Sequence, residues 1–260
     1  MANCKTNDER ERTEELIRPI LRGRDIKRYG YEWAKLYLIA TFPARHYDIE
    51  QYPAVKQYLL SFAQEYLIAN GNEWVANGHL SDFCKQKLAQ TGQYVIINGK
   101  YILDKKGNKE KGRKKTSNKW FETQDSISYW DLFFQPKICW KAVGRNLTFA
   151  IVESGTFLTA PASFISAGDN NAYILAFLCS SVGRYYIYKN SDTTGAGDIM
   201  LNIQSLIKFP IPNCKRKDSL LRNVNTMIQQ ANDETQRIID DEIFRLYGFN
   251  EREIDEILNV

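Results

Sequence analysis

The sequence predicts a mixed α/β protein of the α+β type, built as a twisted, largely antiparallel sheet with packed helices and a C-terminal helical segment. Three observations predict it. The middle of the chain is a series of short β-rich runs (KWFETQ, FFQPKICWKAV, LTFAIVESGTFLTA, ASFISA) broken by Gly, Asn and Pro. Toward the C-terminus, apolar residues instead return every three or four positions, the period of a helix with one buried face. The 260 residues are 43% hydrophobic and include 33 aromatic side chains, which is enough to bury a sizeable core.

Residues 1–15 are a polar lead. IRPILRGRDIKRYG then reads as a short strand ending in a basic turn at Gly23, and WAKLYLIATF as a second apolar, aromatic strand. Pro53 suits the first turn of a helix. Its apolar positions Val55, Tyr58, Leu59, Phe62, Tyr66 and Leu67 fall on one face, which should pack on the sheet. Within YVIINGKYIL, Asn98-Gly99 between two β-rich runs predicts a two-residue type I′ hairpin. Sheet is therefore expected between about residues 90 and 166.

From Asn171, AYILAFLCSSVGRYYI reads as one buried helix, and LNIQSLIKFPIP as the way out of the globular part. Pro210 and Pro212 mark the boundary between a domain of residues 16–212 and a helical segment of residues 213–260. In that segment Leu220, Leu221, Val224, Met227 and Ile228 form one apolar stripe, and Ile238, Ile239, Ile243, Phe244, Leu246 and Tyr247 a second. Gly248 is placed as a C′ stop, and Asn250 with Glu253 as a capping box for a last short helix. A bundle packed on the module's own sheet and a docking arm both require these stripes; the packed arrangement with an exposed segment is the expectation.

Composition narrows the function class. No apolar run approaches the roughly 20 residues that a membrane span needs, and the start of the chain has no hydrophobic signal core, so a cytoplasmic protein is expected. Cys4, Cys84, Cys139, Cys179 and Cys214 are scattered and never form CxxC, which favours buried thiols over a disulfide framework or a zinc site. His46 and His79 lie at no ligand spacing and read as surface or loop residues. GAGD at residues 195–198 lacks the setting of a dinucleotide loop, no GxxxxGK[ST] occurs, and neither the (N/D/S)PP(Y/F) tetrapeptide nor a cofactor loop of an adenine methyltransferase is present. No catalytic machinery is therefore expected in this chain, and no cofactor or metal.

Charge is uneven. Residues 105–119, KKGNKEKGRKKTSNK, hold eight basic residues against Glu110, a net +7 in a chain whose total is +4. Such a run is either a solvated loop or one that contacts phosphates.

Four strings occur in order: LIRPILRGRDIKRY, YPAVKQYL, KKTSNKWFETQ and FFQPKICW. As an ordered set over roughly residues 16 to 212, they resemble the TaqI-like C-terminal specificity domain of type IIG restriction-modification enzymes and related adenine-specific DNA methyltransferases. The tail IIDDEIFRLYGFNEREIDEIL is similar to the helical end that closes such polypeptides, and LIKFPIP to the exit from a recognition domain in type I specificity subunits. The resemblance implies a target-recognition domain for double-stranded DNA in bacterial defence. Separate upstream methyltransferase and nuclease domains would bind S-adenosylmethionine, methylate adenine N6 and cleave. The chain would then be a segment of a longer polypeptide or a free-standing specificity subunit.

Arginines and amides read base edges, while lysines set position on phosphates. The basic loop supplies Arg113, Asn118 and Gln124 beside Lys111, Lys114, Lys115 and Lys119, with Trp120 as an anchor or a core residue. Arg22 and Arg24 flank Gly23, and Lys27 with Arg28 extend the patch. Asp25 could instead pair with one of these arginines and make the turn a structural clasp. Lys137, Lys141 and Arg145 surround a strand whose side chains alternate faces, so not all of them can point to DNA. The alternatives are a protein-interaction module and a metal-dependent nuclease fragment using Asp125, Asp131 and Glu153, for which no PD…(D/E)xK pattern is present.

Overall fold

The computed structural model describes residues 1–59, 118–119, 121–123 and 125–259. The Asn98-Gly99 hairpin and the helix positions Phe62, Tyr66 and Leu67 lie outside the described residues. The chain forms two compact units, Met1–Arg18 with Leu38–Ser128 and Pro19–Tyr37 with Tyr129–Val260.

In the first unit the polar lead is helical, as α1 (Asn7–Leu16). No apolar stripe announces it, because its ends carry it. Thr6 accepts the Glu9 N–H, and Asp8 and Glu9 place negative charge in the first turn, where the helix dipole favours it. The Glu9 carboxylate also accepts the N–H groups of Lys5 and Ala54, both at 2.9 Å, and these bonds hold its pKa below the usual value. Leu16 is buried with Ile49, Tyr52, Val55 and Phe121. Residues 53–59 are helical from Pro53 onward, with Val55 buried, Leu59 packed beside it and Tyr58 exposed.

The second unit is organised by β3 (Lys137–Lys141), the central strand of an antiparallel sheet in the order β5-β3-β7, with β5 (Phe149–Val152) and β7 (Ala162–Ile165). Trp140 pairs with Phe149 on one side and Ser163 on the other. Alternation along β3 divides the interior. Ile138 and Trp140 join the larger core with Phe149, Leu175 and Phe177, while Cys139 joins Leu21, Ile26, Ala150 and Val152. β1 (Ile17–Leu21) runs parallel to β6 (Phe157–Leu158) through Ile20 and Leu21. A third small sheet orders β4 (Val143–Gly144), β9 (Ile199–Met200) and β8 (Asp192–Thr193). The described sheets are small and mostly antiparallel, and with the helices they make the expected α+β class.

Two runs depart from their sequence reading. Of WAKLYLIATF only β2 (Tyr37–Ile39) is a strand, since Lys35 takes a left-handed φ of 57° that interrupts extended backbone. The run from Asn171 is two helices, α2 (Asn171–Leu178) and α3 (Ser181–Asn190). Ser180 turns extended between them and accepts the Gly183 N–H at 3.1 Å, so the serine caps a new helix rather than continuing the old one.

The run read as an exit is packed. Leu201, Leu206 and Phe209 are buried, the Pro212 carbonyl accepts the Tyr173 hydroxyl, and the Pro210 carbonyl accepts that of Tyr247. Beyond it, α4 (Asp218–Gln229) buries Leu220, Val224 and Met227, and α5 (Asp233–Tyr247) buries Ile239, Ile243 and Phe244. Gly248 closes α5 with φ 72°, and the Asn250–Glu253 capping box opens α6 (Glu251–Leu258). Apart from Ile228 and Ile238, which are exposed, both stripes face the core that contains Trp140, which is the packed arrangement.

Candidate nucleic-acid interface

A single-turn 3-10 helix, Gly23–Asp25, shapes the basic turn of the second unit. Asp25 is the acid that clasps it. Its carboxylate accepts the Arg22 backbone N–H at 2.9 Å, Arg22 Nε at 3.0 Å and Arg22 Nη2 at 2.7 Å. The Arg22 side chain, foremost by its hydrogen bonds, holds the Asp25 pKa below the usual carboxylate value, and the same bonds raise that of Arg22. Arg22 thus spends its donor fork on the turn itself.

Arg24 is exposed, and its side chain makes no hydrogen bond or ion pair among the described residues. Lys27 donates to the Arg24 carbonyl at 3.3 Å and lies 3.6 Å from Glu32, both at the surface. Lys141 arrives from β3. A Cβ on Gly23 would stand 2.9 Å from Lys141 Cγ, and one on Gly144 would stand 3.1 Å from Lys141 Nζ, so the two glycines make the groove in which this side chain lies. Arg24, Lys27 and Lys141 are therefore gathered around one turn with few internal partners. Arg145 is 82% exposed and reaches Asp198 only at 3.9 Å.

Lys137, one of the three cations around this strand, is buried. Its ammonium donates to the carbonyls of Phe133, Gln135 and Glu153 at 2.9, 3.3 and 3.2 Å, and burial pushes its pKa down. It ties the start of β3 to neighbouring loops and presents no charge to a ligand.

In the first unit, Asn118 donates through Nδ2 to the Thr123 carbonyl at 2.8 Å, closing a loop. Lys119 donates its backbone N–H to Glu122 at 2.7 Å, and its exposed ammonium lies 5.7 Å from the centre of the Phe121 ring. Lys111, Arg113, Lys114, Lys115, Trp120 and Gln124 lie outside the described residues, as do Cys84 and His79.

Burial raises the Cys139 and Cys179 thiols to about 12, so neither is a thiolate at neutral pH. Among the described residues no three His, Cys, Asp or Glu side chains could hold a metal ion, and no helix is long and apolar enough to cross a membrane.

A separate concavity in the second unit, about 520 Å³, is lined by Arg28, Arg145 and Arg184 above Phe149, Gln236 and Asp240. Sequence reasoning noticed only its rim residues Arg28 and Arg145. Arg184 was hidden within a run that reads as one continuous buried helix. Gln236 and Asp240 carried a usable signal, being polar residues one turn apart on the buried side of α5.

The family model described as the TaqI-like C-terminal specificity domain matches residues 18–211. No curated protein matches the chain.

Proposed function

This chain belongs to the family of TaqI-like C-terminal specificity domains, and on that premise we propose that it reads a specific sequence in duplex DNA for a restriction-modification enzyme. The observation that carries the reading is the extent of the match, residues 18–211, which includes the Gly23 turn, Lys141 and Arg145. Chemistry supports it at the turn. Arg24 offers a free planar fork for a base edge, Lys27 and Lys141 offer point charges for phosphates, and Arg22 keeps the turn in shape through Asp25.

The basic run of the first unit is read as a second contributor to DNA binding, with Lys111, Lys114, Lys115 and Lys119 for phosphates and Arg113, Asn118 and Gln124 for bases. Catalysis belongs to partner domains that bind S-adenosylmethionine, methylate adenine N6 and cleave DNA in the bacterial cytoplasm. This division of labour accounts for the missing methylation motifs.

The test is duplex binding by fluorescence anisotropy over a salt series. Replacing Arg24, Lys27 and Lys141 by alanine should reduce the slope of log K against log salt by about 0.9 for each phosphate that these side chains neutralise. Replacing Lys111, Arg113, Lys114, Lys115 and Lys119 together should reduce it by about 2.7 if the loop neutralises three phosphates. Arg24→Ala or Arg113→Ala alone should relax preference at one base pair by about 1–3 kcal/mol. A slope and a site preference untouched by all of these substitutions would sink the reading.

A further inference from the structure

We propose that the cleft of the second unit binds one nucleotide unit, its phosphate on the arginines of the rim and its base over Gln236 and Asp240. This site is separate from the Gly23 turn and does not depend on duplex reading there.

The floor carries an unmet need. Gln236 is 8% exposed; its Oε1 accepts the Tyr29 hydroxyl at 2.8 Å, while its Nε2 has no hydrogen-bond partner. A buried amide donor left unpaired is unfavourable, and a ligand acceptor in the cleft would satisfy it. Asp240 lies one turn further along α5, 9% exposed, and accepts the N–H and hydroxyl of Ser181 at 2.7 and 3.1 Å. Its carboxylate keeps lone pairs for a further donor. A donor beside an acceptor is the pattern with which side chains pair to the edge of a base.

The rim calls for an anion. Arg28, Arg145 and Arg184 face a cleft whose lining holds one carboxylate, Asp240, with the Asp198 carboxylate 3.9 Å from Arg145. Arg28 donates one N–H to the Cys179 carbonyl, and the Arg184 side chain makes no hydrogen bond or ion pair among the described residues. Guanidinium groups suit phosphate oxygens because their donors lie in one plane. Between rim and floor the walls are apolar at Phe149 and Ile187, and the ring of Tyr188, 59% exposed, offers a stacking face at the mouth.

Size and rigidity select among ligands. At about 520 Å³ the cleft exceeds what a bare oxyanion fills and falls within the range of organic-ligand pockets. A simple anion would leave the floor unused, and an uncharged base would leave the arginines unused. A nucleotide engages both. Tyr29, which orients Gln236, is held at a left-handed φ of 66° by its N–H bond to the Phe149 carbonyl at 2.8 Å and by its hydroxyl.

The test is calorimetric titration of the full chain with each of the four deoxynucleoside monophosphates, with the matching nucleosides, and with inorganic phosphate. At least one monophosphate should bind saturably, and its nucleoside and phosphate should each bind at least about tenfold more weakly. Arg184→Ala, a change at an exposed residue, should weaken the monophosphate by about tenfold or more and leave the nucleoside unchanged. Gln236→Glu keeps an acceptor for Tyr29 but removes the free donor, and should weaken monophosphate and nucleoside alike. Competition by a short single-stranded oligonucleotide, abolished in Arg184→Ala, would identify a strand as the source; failure to compete would identify the free nucleotide, and both support the site. The proposal is overturned if no monophosphate binds saturably, or if phosphate binds as tightly as the nucleotide and Arg184→Ala changes nothing. Salt-dependent duplex binding through Arg24, Lys27 and Lys141 would be unaffected by Arg184→Ala, so the two readings fail separately.

Discussion

A carboxylate that accepts a backbone N–H and a guanidinium fork together stays ionised at acidity where an unfolded aspartate is already protonated. Asp25 is in that position, with Arg22 supplying both kinds of donor. Its native pKa is depressed, so the stability it contributes is fully present above the ordinary value of 3.8 and is lost as pH falls from there through the lower native value. Urea midpoints of the wild type and Asp25→Asn should differ by a constant amount near neutrality and converge as pH falls below that ordinary value; a gap that is independent of pH would mean that the clasp does not act through charge. The sequence could show that Asp25 stood near several arginines. It could not show which one, because the choice rests on the 3-10 geometry that folds Arg22, rather than Arg24, back onto the carboxylate. Lys137 was illegible for a related reason: the three carbonyls that receive it come from backbone at Phe133, Gln135 and Glu153, and side-chain identity carries no trace of them.

At the scale of elements, local chemistry was most legible where one residue decides the backbone. Gly248, the Asn250–Glu253 box and Pro53 all fall at the helix ends where their geometry belongs. The break between α2 and α3 was hidden because AYILAFLCSSVGRYYI is apolar enough for one buried helix, and composition alone does not reveal a change in helix direction. Gly183 is where that change becomes strict. A Cβ there would stand 2.2 Å from the Phe177 carbonyl oxygen and 2.9 Å from that of Leu178, both backbone atoms that cannot rotate away. Gly183→Ala should therefore destabilise the protein by about 1–3 kcal/mol, although alanine is the better helix former. Thermal unfolding of the variant decides the matter, and an unchanged or higher midpoint would show that α3 can shift at little cost. Arg184 follows this glycine directly, so the angle set by the break also sets where the cleft's rim cation stands.

At the scale of the second unit, the question is whether the C-terminal helices form part of the fold or an arm added to it. Their apolar stripes were plain from spacing, but a stripe does not reveal what covers it. In the structure Leu220, Val224, Met227, Ile239, Ile243, Phe244 and Ile257 lie in one core with Ile138, Trp140 and Phe149. Burying a side chain of this size contributes about 1.5–3 kcal/mol, so the seven together account for on the order of 10–20 kcal/mol, at least the ~5–15 kcal/mol that separates a typical folded domain from its unfolded chain. A chain ending after Pro212 should consequently lose the fixed tertiary packing of this unit. Its near-ultraviolet circular dichroism should collapse, and the emission of Trp140, fully buried in the intact protein, should move to the red. In the full-length chain Ile243→Ala should cost about 2–5 kcal/mol, a graded version of the same loss. If the shortened chain instead melted cooperatively at the wild-type midpoint, the helices would be dispensable to the sheet and free to act as a docking arm. The packing of Ile239 and Ile243 against the Trp140 core makes the first outcome the expected one.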